Sequence, residues 1–164
     1  MIREKLTKRV YYIFLYSAFA VMPIWAGGKL INLVLDHIFI SNFVDGWQQI
    51  ARHLEATISA LPPLRSGQLA ARMHRIERLA ARASLTLPAT RTRHSYTYHL
   101  KKINQPVENI FLAVESTRII IYGLRKQTMR RLDKYIDGTE NIYAGRFQAL
   151  PGKNPGTYTG VLQL

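Results

Sequence analysis

Apolar and polar positions divide the chain into stretches of different character. Residues 10–28 (VYYIFLYSAFAVMPIWAGG) are apolar all round and carry no charge. As a helix these 19 residues rise ~28 Å, close to the ~30 Å hydrocarbon core of a bilayer. Tyr11, Tyr12 and Tyr16 lie toward one end and Trp25 toward the other, where aromatic rings favour the two membrane interfaces. The pattern predicts a spanning helix anchored by Tyr11, Tyr12 and Trp25. A cleaved signal covering residues 1–26 is the competing reading.

Beyond Gly27-Gly28-Lys29 the pattern becomes amphipathic. Leu30, Leu33, Val34, His37, Ile38 and Ser41 share one helical stripe, whereas Asp36 and Asp45 interrupt the apolar run. A charge at bilayer depth is costly, so residues 29–46 read as a helical stalk rather than the second arm of a membrane hairpin. Trp47, Ile50, Leu54, Ile58 and Leu61 then recur at helical spacing until Pro62-Pro63. Ser66 can cap a following helix over residues 67–84, with Leu69, Met73, Ile76, Ala80 and Ala83 on its apolar stripe. These two helices predict an antiparallel pair.

Residues 94–100 alternate His94, Tyr96, Tyr98 and Leu100 with Ser95, Thr97 and His99, the signature of a strand. Pro106 suits a first helical turn, and Gly138 suits a C-cap. The spacing of Val107, Ile110, Val114, Ile121, Met129, Leu132 and Ile136 predicts a long third helix over 106–137, with Glu115 and Arg118 paired at i, i+3. Within it, residues 107–124 offer an alternative second span flanked by Arg125, Lys126, Arg130, Arg131 and Lys134. The tail, 138–164, is rich in Gly and Pro; residues 157–164 can form an edge strand beside 94–100. The predicted fold is therefore mainly α. Its parts are a basic flank and transmembrane helix (1–28), an amphipathic stalk (29–46), a basic helical domain (47–137) and a turn-rich tail (138–164), with a short β-hairpin as an option.

Charge sets the orientation. Lys and Arg number 23 against 10 Asp and Glu, a formal net charge of +13. Arg3, Lys5, Lys8 and Arg9 precede the apolar run and place the N-terminus in the cytoplasm. The expectation is a single-pass protein of a bacterial inner membrane. The basic middle concentrates in Arg72, Arg75, Arg78 and Arg82 on one flank of the 67–84 helix, followed by Arg91 and Arg93. These six are the candidate anionic-partner residues. Such a stripe serves as a solvated face, as a dock for lipid headgroups, or as a phosphate reader for nucleic acid. The helix has no stacking aromatics, which disfavours nucleic acid.

Chemistry is sparse. With no cysteine there are no disulfides, no thiolate nucleophile and no thiolate metal site. Gly27-Gly28-Lys29-Leu30 lacks the strand and hydroxyl residue of a phosphate loop. His94 and His99 are five apart without a third ligand at a recognisable spacing, so neither a metal nor another cofactor is expected. His94, His99 and Glu115 are the players left for an enzyme at the membrane surface.

Trp25-Ala26-Gly27-Gly28, closing an early span, and Arg130-Arg131-Leu132-Asp133, following a later hydrophobic stretch, carry a resemblance in layout to small inner-membrane accessory proteins of integrating conjugative elements and type IV secretion systems. The resemblance implies a non-catalytic accessory or structural component of a membrane assembly, with lipids, other assembly proteins or further copies of the chain as partners. A membrane-tethered nucleic-acid binder and a membrane-surface enzyme are the alternatives.

Overall fold

The computed structural model describes the backbone of residues 2–62 and 67–164, and side chains from Tyr11 onward except Tyr12, Ile13, Ala18, Ala20, Ile24 and those of residues 63–66. Ser66, expected as a helix cap, lies outside the described residues.

Helix α1 (Ile2–Ile38) runs through Pro23 and the glycine pair without a turn. A π-helical segment, Phe39–Val44, continues it into α2 (Asp45–His53), and Leu54 breaks the line before α3 (Glu55–Ser59). Next come α4 (Leu69–Arg82), strands β1 (Thr97–Leu100), β2 (Glu108–Val114) and β3 (Arg118–Arg125), helix α5 (Lys126–Asp137), and strands β4 (Phe147–Pro151) and β5 (Thr157–Gln163). The strands form one antiparallel sheet in the order β1-β2-β3-β5-β4.

This α+β architecture overturns the mainly α expectation. The stretch expected as one helix over 106–137 is a hairpin followed by a helix. Its β-branched and aromatic runs, IFLAV and RIIIY, pair as strands with Leu112 opposite Ile121 and Val114 opposite Ile119. Period-2 alternation then buries Ile110, Leu112, Val114, Ile119 and Ile121 on one face. Ser116 and Thr117 make the turn, closed by the Glu115 amide donating to the Arg118 carbonyl at 2.8 Å. Glu115 and Arg118 do pair, but across this turn. The alternative second span at 107–124 is therefore two antiparallel strands, not a helix. The expected Gly138 cap is present, left-handed (φ 74°), with its amide on the Lys134 carbonyl. The tail supplies β4 and β5. Strand β5 lies inside the sheet between β3 and β4, rather than at an edge beside β1.

The expected antiparallel helix pair also gives way to the sheet. Helix α4 packs along β2 beyond the point where β1 stops. There the Val114 amide donates to the Met73 Sδ at 3.3 Å and the Val114 carbonyl accepts from Arg72 Nε at 3.2 Å. Two backbone groups of an open strand edge are satisfied in this way. On the apolar face, Phe39 and Phe43 close on Tyr98 with centroids 5.2 Å away in each case, Trp47 Nε1 donates to the Ser95 carbonyl, and Met129 and Leu132 of α5 complete the core. The core thus takes in Phe39, Ile40, Phe43 and Val44, residues whose pattern suggests a stalk.

Candidate functional site at the root of the anchor helix

Helix α1 changes environment abruptly. Among the described residues, the helical stretch Phe14–His53 is long and apolar enough to cross a membrane, and only 7% of its most apolar window is buried. Tyr11, Phe14, Tyr16, Phe19, Met22, Trp25 and Leu30 are exposed, each by more than 60%. Of the expected interface residues, Tyr11 and Trp25 are described and exposed, and Lys29 Nζ sits 3.5 Å from the Trp25 ring centroid. The Tyr12 side chain lies outside the described residues. Two turns further on, Asn32 and Asp36 are buried, and Phe39 is fully enclosed.

The transition is built on ions. Asp36 Oδ1 lies 2.6 Å from Lys102 Nζ, and Asp36 Oδ2 accepts from Arg131 Nη1. Lys102 also lies 3.2 Å from Glu108 Oε1 and donates to Thr128 Oγ1 at 2.5 Å. Glu108 receives the Arg125 amide at 2.9 Å and the Thr128 hydroxyl at 2.6 Å. Arg125 is the N-cap residue of α5, so Glu108 places its negative charge where free amides and the helix dipole favour it. Two carboxylates face two cations, which balances the charge. Asp36, Lys102 and Glu108 side chains are at most 2% exposed. The β1–β2 loop adds a neutral clasp: Asn32 Nδ2 donates to the Ile103 carbonyl at 3.2 Å, and the Ile103 amide donates to Asn32 Oδ1 at 2.8 Å. Helix, loop, strand β2 and helix α5 thus converge on one helical turn of α1.

A second buried carboxylate stands apart. Asp133 of α5 is fully enclosed, and neither oxygen makes a hydrogen bond of standard geometry. Burial, reinforced by the nearby Asp137 charge, pushes its pKa above the ordinary carboxylate range.

The six candidate arginines separate. Arg72 is half-buried. Besides Val114, it donates to the Pro62 carbonyl at 2.6 Å and to the Ile58 carbonyl at 3.5 Å, tying the end of α3 to β2. Burial lowers its pKa, opposed by the Glu115 charge. Arg75, Arg78 and Arg82 are exposed and, with Leu79, border a depression of about 200 Å³. Arg91 and Arg93 are exposed in the loop before β1. The three enzyme candidates are not joined: Glu115 pairs with Arg118, His99 is exposed opposite Asn109, and His94 packs between His74 and Tyr96. Sequence patterning missed Lys102 and Arg131 as partners of Asp36, and Glu108 as the second carboxylate on Lys102. The available signal was Glu108, which stands in alternation with Ile110, Leu112 and Val114 and so belongs on their buried face.

Comparison with family models, with curated proteins and with solved structures returns no match.

Proposed function

We propose that this is a single-pass inner-membrane protein, N-terminus in the cytoplasm, acting as a non-catalytic structural component of a membrane assembly. One observation carries the reading. Helix α1 exposes most of its described apolar side chains from Tyr11 to Ile38, and the helical path then enters the core at Phe39, with the crossover locked by Asp36. An exposed apolar helix of this length needs lipid or protein around it. The ionic root makes that helix part of the domain rather than a tether. The layout resemblance directs the search for the assembly to conjugation and secretion machinery first. Arg75, Arg78, Arg82, Arg91 and Arg93 supply the surface for an acidic partner, either lipid headgroups or an acidic protein face.

Full-length protein should remain in the membrane pellet after alkaline carbonate washing, and a reporter fused after Leu164 should register the periplasm. A soluble product beginning near Gly27 overturns the anchor, and a cytoplasmic reporter signal overturns the orientation.

A further inference from the structure

We infer that His74, Glu77 and His94 form a binding site for a divalent transition-metal ion of the zinc type. It uses three protein ligands and leaves a fourth position open to solvent. Each of these residues offers one ligand atom, and all three atoms lie within 4.8 Å of one another. His74 and Glu77 are one helical turn apart on α4, so the helix itself puts them side by side. His94 comes from the loop ahead of β1, and its ring centroid is 4.7 Å from that of His74.

The atoms not used for binding are already engaged. Glu77 Oε1 accepts both the Ser95 amide at 2.9 Å and the Ser95 hydroxyl at 2.5 Å, which leaves Oε2 for an ion. That Oε2 lies 3.2 Å from His74 Nδ1, the pair an ion would bridge. The other His74 nitrogen, Nε2, lies 3.2 Å from the Tyr96 hydroxyl. With Nδ1 on the ion, Nε2 carries the proton and donates it to Tyr96, an outer contact that fixes tautomer and ring plane. The His94 ring stacks on Tyr96, 5.1 Å between centroids and 8° between planes. Tyr96 is buried and so holds both imidazoles.

Two imidazoles and a carboxylate are the ligand set of many zinc centres that keep one position open. Ion–ligand bonds of ~2.0–2.2 Å in tetrahedral array put ligand atoms about 3.4 Å apart. No edge therefore has to close by more than about 1.4 Å, and the half-exposed His74 ring has room to rotate. Arg75, Arg78 and Arg93, adjacent in sequence to the ligands, oppose a cation, but they are exposed and solvent weakens their repulsion, whereas the ligands act in direct contact.

The test titrates full-length protein in detergent, without a histidine tag, with zinc chloride by calorimetry, and with cobalt chloride by visible absorption. One equivalent of zinc should bind, and cobalt should give the d–d bands of a low-coordinate site. His94→Ala and Glu77→Gln should each weaken zinc binding at least 10-fold, and Tyr96→Phe about 10-fold. His99→Ala should leave it unchanged. Circular dichroism of each variant establishes that it is folded. Absence of saturable binding in the wild-type protein overturns the proposal, as does equal loss from His99→Ala and His94→Ala. If His94→Ala fails to fold, the Tyr96→Phe and Glu77→Gln titrations decide: unchanged affinity in both overturns it.

Discussion

Replacing Lys102 by Met should destabilise the protein by about 3–5 kcal/mol, because two buried carboxylates lose their shared cation while the side-chain volume is kept. The gross interaction is larger. At 2.6 Å from Asp36 and 3.2 Å from Glu108, an effective dielectric of about 20 gives roughly 6 and 5 kcal/mol. Part of that is returned when the ammonium no longer has to be stripped of water, a cost of several kcal/mol per ion. Some support also survives: Asp36 keeps Arg131, and Glu108 keeps the Arg125 amide and Thr128 hydroxyl. The remainder is a large share of the ~5–15 kcal/mol that holds an ordinary domain together. It corresponds to a fall in melting midpoint of about 10–15 °C. Thermal unfolding of the full chain in detergent, followed by circular dichroism, reads this directly. Asp36→Asn alone and combined with Lys102→Met completes a cycle in which the double variant should lose at least about 1 kcal/mol less than the sum. A Lys102→Met variant within about 1 kcal/mol of wild type, or strictly additive losses, would refute the ionic root.

Other outcomes follow from individual residues. Asp133→Asn should stabilise the protein by about 1–3 kcal/mol near neutral pH, since it removes an enclosed carboxylate whose charge burial and Asp137 disfavour more than the Asn141 amide supports it. The native pKa of Asp133 is raised, so its contribution is fully present below its ordinary value of 3.8 and is lost as pH rises through the native value; the gain from Asn in urea unfolding should therefore shrink toward pH 4. Arg72→Gln should cost about 1–3 kcal/mol by stranding the carbonyls of Val114 and Pro62, whereas Arg75, Arg78 and Arg82 changed to Gln should each cost under about 0.5 kcal/mol. The three exposed substitutions should nevertheless weaken binding to anionic vesicles at low salt. Gly123→Ala should cost about 2–4 kcal/mol, because φ is +83° and a Cβ would stand 2.3 Å from the Asn109 carbonyl oxygen. Gly138→Ala, also left-handed but with open space around it, should cost only about 1 kcal/mol by the same denaturation measurement.

The elements legible in the sequence are those whose pattern is decided locally. The apolar run of α1, the Met73, Ile76 and Ala80 stripe of α4, and the Gly138 cap need no distant partner to be recognised. The hairpin β2–β3 was obscured because its apolar positions satisfy two periods at once. Val107, Ile110, Val114 and Ile121 fit helical spacing, while Ile110, Leu112, Val114, Ile119 and Ile121 fit a pleated face. The i, i+3 pair of Glu115 and Arg118 belongs equally to a helix and to a two-residue turn. Residue chemistry favours the strand, since four Ile or Val residues within 107–121, namely Ile110, Val114, Ile119 and Ile121, lie on the face that packs. The site was hidden for a different reason. Arg131 and Asp36 are 95 residues apart, and Asn32 and Ile103 are 71 apart, so neither contact leaves a local spacing. In sequence the nearest histidine to His94 is His99, whereas the fold sets His94 beside His74.

The unbroken passage from α1 into the core has a mechanical consequence. With no linker there is no universal joint: if α1 spans a bilayer as proposed, the compass bearing of the sheet about the helix axis is fixed by the rotation of that helix in the lipid. Tilting the helix by about 20°, an ordinary angle for a spanning segment, would swing a point 30 Å from the bilayer sideways by roughly 10 Å. In that setting, twist or lean imposed on the spanning part of α1 would arrive at the sheet as displacement, with the ion cluster at Asp36 as the contact through which the torque passes.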